Sequence, residues 1–155
     1  MSKVVLNLGA GNRPKKGAVN HDLYYHRDEI DVAWDLNAMP WPWPDEEFDI
    51  VYALAVLEHL RCNLAESINE VWRITKPGGS TWIKLPLWDS ENSYTDPTHL
   101  HFAAPGIFDQ FDPSTKRGKE YAFYDLRPWR RLEVKLVNDP PTSLVGRLQK
   151  VTNYG

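Results

Sequence analysis

Apolar residues fall in short runs along this chain, and the breaks between them are rich in glycine, proline and carboxylates. Val4–Leu8 is apolar and β-prone and predicts a first strand, which Gly9-Ala10-Gly11 and Asn12-Arg13-Pro14 bring to an end. A second strand is expected through Ala18–Asp22 and a third near Asp31–Asp35. The stretch MPWPWPDEEF reads as a loop, because its three prolines cannot donate to a helix or a central strand. Phe48–Leu54 is apolar nearly throughout, the signature of a strand covered on both faces of a parallel sheet.

The period then changes. Leu64, Ile68, Val71 and Trp72 share one face of a helix expected over Leu64–Ile74. Asn63 can cap that helix, with Glu66 three residues on as its capping-box partner, and Lys76-Pro77-Gly78-Gly79 stops it. STWIKLP is the fifth expected strand, and Pro105–Phe111 a short helix. In RRLEVKLV, Leu132, Val134 and Leu136 alternate with Arg131, Glu133 and Lys135, which predicts a half-exposed strand near a sheet edge. Tyr121–Leu126 is a further candidate strand, and the stretch from Asn138 carries no clear period. Strands alternating with longer connections imply an α/β fold with a mostly parallel sheet. Ligands of such sheets sit beyond the carboxyl ends of the strands, where GAGN, HD, DLN and LPLWDSE all fall.

Composition adds few constraints. The 155 residues suit one domain with a real core; 42% are hydrophobic and 25% charged, ordinary for a soluble protein. Seven Trp and seven Tyr point to aromatic packing or an aromatic-lined pocket. A lone cysteine, Cys62, excludes an internal disulfide and fits a reducing compartment. With no membrane-length apolar run and no secretory leader, the expectation is cytoplasmic. The net charge of −3 is uneven: residues 1–115 carry nine Lys/Arg against seventeen Asp/Glu, and residues 116–155 nine against four. An acidic body suits a cationic ligand, and a basic tail an anionic partner, although an uneven solvated surface explains both more simply.

The glycine bend raises the question of chemistry. Bare backbone at a strand end serves a tight turn or the close approach of a ligand. A dinucleotide fingerprint wants a third glycine where Pro14 stands, which counts against an NAD enzyme; a phosphate-binding P-loop is excluded because no G-K-[ST] follows. The later carboxylates sharpen the picture. Asp22 closes the second strand, as an acid does when it accepts from ribose hydroxyls, and Asp35 closes the third, where it could accept from an adenine amino group. Each alone also suits a turn; in this order, after the glycines, they favour a nucleoside site.

Three quoted segments carry a family resemblance: VLNLGAGNRPKKGAVNHDL, DLNAMPWPWPDEEFDIVYALAVLEHL and EVWRITKPGGSTWIKLP. Over residues 3–111 the chain resembles a small class I S-adenosylmethionine-dependent methyltransferase of the type 11 kind. That implies a Rossmann-like, mostly parallel sheet with flanking helices and an antiparallel strand near the C-terminus, in one domain over 1–155 whose residues 112–155 supply closing strands and the basic tail. S-adenosylmethionine is then the implied cofactor. By this resemblance Gly9 and Gly11 lie against its methionyl part, Asp22 holds the ribose, Asp35 and Leu36 approach the adenine, and Ala53 and Leu54 flank the reacting end. Asn7, Ala10 and Leu23 complete the candidate cofactor-binding set; Ala10 stands where many relatives carry cysteine. A short first crossover leaves part of the ligand roof unassigned, which a homodimer could supply.

The acceptor side is expected in LPLWDSENSYTDPTHLHF, where a DP-x-H element resembles one found after the fifth strand in relatives. His99, His59 and Asp96 are the candidate catalytic residues, with His99 as base or acceptor-binding group near neutral pH. A turn at Asp96-Pro97-Thr98 that merely ties the loop down is the competing reading. Asp96, His99 and His101 also have the donor chemistry for zinc or iron, but a structural loop is the simpler reading and no metal is assigned. Trp41 and Trp43 are expected to cover the sheet edge or an adenine pocket. The resulting expectation is a methyltransferase with a small-molecule acceptor, RNA or another phosphate-bearing acceptor being the alternative through the basic tail, and no membrane partner. The competing class is a protein that binds S-adenosylmethionine or S-adenosylhomocysteine without chemistry.

Overall fold

The computed structural model describes residues 1–152; the last three residues of the expected domain and basic tail, 153–155, lie outside the described residues. Seven strands form one sheet: β1 (Val5–Leu8), β2 (Val19–Asp22), β3 (Val32–Ala33), β4 (Phe48–Leu54), β5 (Thr75–Pro86), β6 (Trp129–Val137) and β7 (Ser143–Lys150). Their order is β3-β2-β1-β4-β5-β7-β6. The first five pair in parallel, and β7 runs antiparallel between β5 and β6. The Rossmann-like α/β reading, with its antiparallel strand near the C-terminus, is borne out.

Helix α1 (Leu64–Ile74) starts where the sequence places it. Asn63 Oδ1 accepts from the Glu66 N–H at 2.9 Å while Glu66 Oε2 accepts from the Asn63 N–H at 3.0 Å. Such a cap is worth about 1 kcal/mol. Ile68, Val71 and Ile74 are its buried apolar residues. They join Val51, Ala53, Ile83, Leu85, Leu144 and Leu148 from the sheet in a core that also takes in Phe108 and Phe111. Leu57–His59 is a 3₁₀ turn, and the short helix expected over Pro105–Phe111 is present as a 3₁₀ helix. Among the described residues two single-turn helices, α2 (Asn92–Thr95) and α3 (Lys116–Glu120), complete the set.

Several expectations are corrected. Tyr121–Leu126 is not a strand: Tyr121, Phe123 and Tyr124 pack ring against ring in turns instead. The seventh strand comes from Ser143–Lys150, beyond the point where the period was lost. Strand β5 begins at Thr75, so Lys76–Gly79 belongs to the strand rather than to a helix stop alone. As expected of an edge strand, β6 has a mostly half-exposed or exposed run from Arg130 to Val137. Trp41 and Trp43 are core residues: Trp41 Nε1 donates to Leu36 O at 2.9 Å, and Trp43 meets His21 and Phe48 edge to face. Trp43 thus packs against β2 at His21 and against the start of β4 at Phe48, with Trp41 edge-on beside it.

Candidate functional site

The carboxyl ends of β1, β2, β3 and β4 meet around a cavity of about 300 Å³. Its walls are Gly9, Gly11, His21, Asp22, Leu23, Trp34, Asp35, Leu36, Asn37, Ala55, Val56, His59 and Leu60. Pockets for small ligands begin at roughly this size. The bend after β1 is held by left-handed backbone at Gly9 (φ 60°) and Gly11 (φ 53°). At Gly9 bulk is excluded as well, since a Cβ would stand 2.7 Å from Val56 Cγ2.

Asp22 fastens this bend to β2. Its Oδ2 accepts from the Gly11 N–H at 2.7 Å and lies 2.9 Å from His26 Nε2; its Oδ1 accepts from the Leu23 N–H at 2.8 Å. Burial raises the tendency of Asp22 to hold a proton, but the bonds from His26, Leu23 and Gly11 outweigh it, so its pKa is lowered and the carboxylate stays charged. A carboxylate oxygen accepts more than one bond, so Oδ1 keeps a lone pair for a hydroxyl in the cavity. Asp35 Oδ1 accepts from the Asn37 N–H and side-chain amide, both at 2.9 Å.

His21 was not among the expected site residues. Its Nε2 donates to Trp34 O at 2.9 Å, and its Nδ1 accepts from the Gly9 N–H at 3.2 Å. This pattern requires the neutral ring, and burial indeed lowers the His21 pKa. One imidazole thus joins the tips of β1, β2 and β3. The only sequence signal for it is its place one residue before Asp22.

Other expected residues lie elsewhere. Asn7 is buried beneath the bend, its amide donating to Arg13 O and Asn20 Oδ1. Ala10 is buried, with its N–H donating to His21 O at 2.8 Å. Ala53 and Leu54 are still within β4, and the cavity wall is made two residues later by Ala55 and Val56. Ala55 takes a φ of 60°, rare for a residue with a side chain, and this turns the chain across the cavity.

The acceptor-side candidates form a second, adjoining cluster. Glu58 O accepts from the Leu100 N–H at 2.8 Å, which draws the loop after β5 onto the tip of β4. His59 Nδ1 lies 2.9 Å from Thr98 Oγ1, whose proton is given to Asp96 Oδ1 at 2.6 Å. His59 therefore donates from Nδ1 and keeps its lone pair on Nε2. His99 Nδ1 donates to Ser93 O at 3.3 Å, and its Nε2 has no hydrogen bond but lies 3.7 Å from Asp96 Oδ2. The two imidazoles stand 4.9 Å apart, centroid to centroid. Burial, then the neighbouring His99, lowers the His59 pKa, while bonds from the Thr98 hydroxyl and N–H hold Asp96 below the usual range.

Glu58 is only 2% exposed, and its Oε2 has no hydrogen-bond partner. Burial pushes its pKa up to about 7. His101 stands apart from this cluster: Nε2 donates to Leu60 O at 2.9 Å and Cys62 O at 2.8 Å. It clasps the end of the 3₁₀ turn and has no part in a metal set with Asp96 and His99.

Residues 19–83 match the family model of a methyltransferase domain. No curated protein matches the sequence. Among solved structures, the chain is similar to an S-adenosylmethionine-dependent methyltransferase from Archaeoglobus fulgidus, with a TM-score of 0.65 and 17% identity over 96% of this chain and 86% of that one. It is similar to the 1,6-didemethyltoxoflavin-N1-methyltransferase of Burkholderia thailandensis, solved with bound 1,6-didemethyltoxoflavin and S-adenosylhomocysteine, with a TM-score of 0.64 and 16% identity over 97% and 72% of the two chains. It is also similar to the [4+2]-cyclase SpnF, with a TM-score of 0.65 and 11% identity over 97% and 75%. The fold is that of the class I S-adenosylmethionine-dependent methyltransferases, and the resemblance read from the sequence holds. Among the described residues no helix is long and apolar enough to cross a membrane.

Proposed function

We propose that the protein is an S-adenosylmethionine-dependent methyltransferase acting on a small-molecule acceptor. The observation that carries this reading is the cavity where the Gly9–Gly11 bend, Asp22 and the Asp35–Asn37 turn converge, with His59 at one wall. In this reading the free lone pair of Asp22 Oδ1 takes a ribose hydroxyl, and His26 gives way if both hydroxyls bind. Leu36 and Asn37 meet the adenine beside Trp34. The bare backbone of Gly9 and Gly11 lets the methionyl chain approach, and Ala55 and Val56 lie toward the sulfonium.

The methyl group leaves sulfur in line with the incoming nucleophile, so the protein's main task is alignment, worth up to ~7–11 kcal/mol of barrier. His59 and His99 are the groups that meet the acceptor; Asp96 positions His59 through Thr98, and the Ser93 carbonyl holds His99. A small acceptor is favoured because much of the basic C-terminal stretch is already engaged. Arg131 pairs with Asp109, Lys135 with Glu133, and Lys150 is buried with Nζ donating to Thr75 O at 2.8 Å. Strands β6 and β7 also lie across β5 from the bend, at the far end of the sheet.

Calorimetric titration with S-adenosylhomocysteine tests the donor site, and an acceptor screen that reads S-adenosylhomocysteine release tests the reaction. Binding and turnover are expected. Binding without turnover over a broad panel of acceptors would favour a binding protein, or other chemistry on the same fold.

A further inference from the structure

One feature of the acceptor side is costly unless something is missing from it. A carboxylate oxygen with no partner, on a residue 2% exposed, loses hydration and gains nothing in return. Two imidazoles stand close by, His59 and His99, each with Nδ1 engaged and Nε2 left without a hydrogen bond. One ligating atom from each of Glu58, His59 and His99 lies within 4.8 Å of the others, the one such convergence of three His, Cys, Asp or Glu among the described residues. We propose that Glu58, His59 and His99 form a binding site for a divalent first-row transition-metal ion, open toward the donor cavity.

Three observations point the same way. The donor set is two imidazoles and one carboxylate, which suits zinc or iron rather than the all-oxygen shells of magnesium and calcium. Each imidazole is fixed in the tautomer a ligand needs, His59 by the Thr98 hydroxyl and His99 by the Ser93 carbonyl, the outer-shell arrangement usual at metal sites. Donors no more than 4.8 Å apart lie within roughly 2.8 Å of a common centre, so bonds of about 2.0–2.2 Å need an inward shift of under ~1 Å.

Three protein ligands leave coordination positions vacant, and His59 is shared with the wall of the donor cavity. Resting on the methyltransferase reading, the role of the ion is to hold an oxygen of the acceptor beside the sulfonium. The acceptor hydroxyl gives its proton to water, an oxygen lone pair forms the O–CH₃ bond, and the C–S pair returns to sulfur as the thioether. The site thereby selects acceptors that present a hydroxyl, such as phenols, over purely amine nucleophiles.

The test uses chelator-treated full-length protein titrated with Zn²⁺ by calorimetry and with Co²⁺ by visible absorption, whose bands report the coordination number. The expected result is one tight equivalent in the wild type, at least ten-fold weaker binding in Glu58→Gln and His99→Gln, and unchanged binding in His26→Ala. Near-UV circular dichroism confirms that each variant is folded, and either of the two cluster variants is sufficient if the other is not. No stoichiometric binding, or equal binding in every variant, would overturn the proposal. The same samples are titrated with S-adenosylhomocysteine: metal binding without nucleoside binding removes the methyltransferase reading and leaves the metal site, and the converse removes the metal site alone.

Discussion

His59 donates from Nδ1 to the hydroxyl of Thr98 at 2.9 Å, although the two residues are 39 positions apart. The bond crosses from the turn after β4 to the loop after β5, and Thr98 passes its own proton to Asp96. A turn residue thus sets which nitrogen of a distant histidine faces the cavity. The Asp96-Pro97-Thr98 turn ties its own loop down and fixes the His59 ring as well.

Thr98→Val keeps the shape of the side chain and removes that acceptor. If the ring of His59 is held by this bond, the affinity for Co²⁺ falls ~10–100-fold, and Thr98→Ser restores it. Equal affinity in all three proteins, read by Co²⁺ absorption, would show that Thr98 does not orient the ring.

Gly9 is required twice, for its φ of 60° and for the missing Cβ that Val56 would meet at 2.7 Å. Gly9→Ala is expected to lower stability by about 1–3 kcal/mol through strain and overpacking and to weaken S-adenosylhomocysteine binding. Adding Val56→Ala should recover only part of the stability, because the backbone strain remains. Full recovery in a denaturant melt would mean that the left-handed conformation costs nothing.

Asp22 links the bend to β2 and leaves one lone pair toward the cavity. Asp22→Ala should weaken S-adenosylhomocysteine binding by at least the ~1–3 kcal/mol of a lost charged hydrogen bond, measured by calorimetry on folded protein. Unchanged affinity would remove Asp22 from the nucleoside site.

The same carboxylate predicts a pH dependence. Its pKa is lower in the folded state than in the unfolded chain, so the unfolded state takes up the proton first as pH falls. Its contribution to stability is therefore complete above the ordinary carboxylate range and disappears as pH drops through the folded-state value. In Asp22→Asn the acid side of the stability profile should be flatter than in the wild type, while the two profiles run parallel above pH ~5. Parallel profiles on the acid side too would contradict the bonding seen at Gly11 and Leu23.

The elements legible in the sequence are those whose signal is local. The apolar run of β4 and the capping box of α1 each lie within a dozen residues and need no partner to be read. Strand β7 was not legible because its alternation of Leu144 and Leu148 is interrupted by Gly146, and only the fold shows the Phe108 ring filling the place of a Cβ there. The aromatic run at Tyr121–Tyr124 resembled a strand by composition, but its rings satisfy one another locally.

In the site, the strand-tip placements of Asp22 and Asp35 follow from pattern alone. The shift from Ala53 and Leu54 to Ala55 and Val56 does not, since it depends on a left-handed residue that is not glycine. Glu58 carries no local signal of this kind: only the fold reveals that its carboxylate is buried beside His99.

The central claim is that the adenosyl group lodges between the glycine bend and the tips of β2 and β3. A crystal structure of the protein with S-adenosylhomocysteine tests this most directly. The account predicts ribose within hydrogen-bond distance of Asp22, adenine against Leu36 and the thioether sulfur near Ala55, on the side of His59. Density for the ligand elsewhere, or in this cavity with the ribose turned away from Asp22, would contradict it.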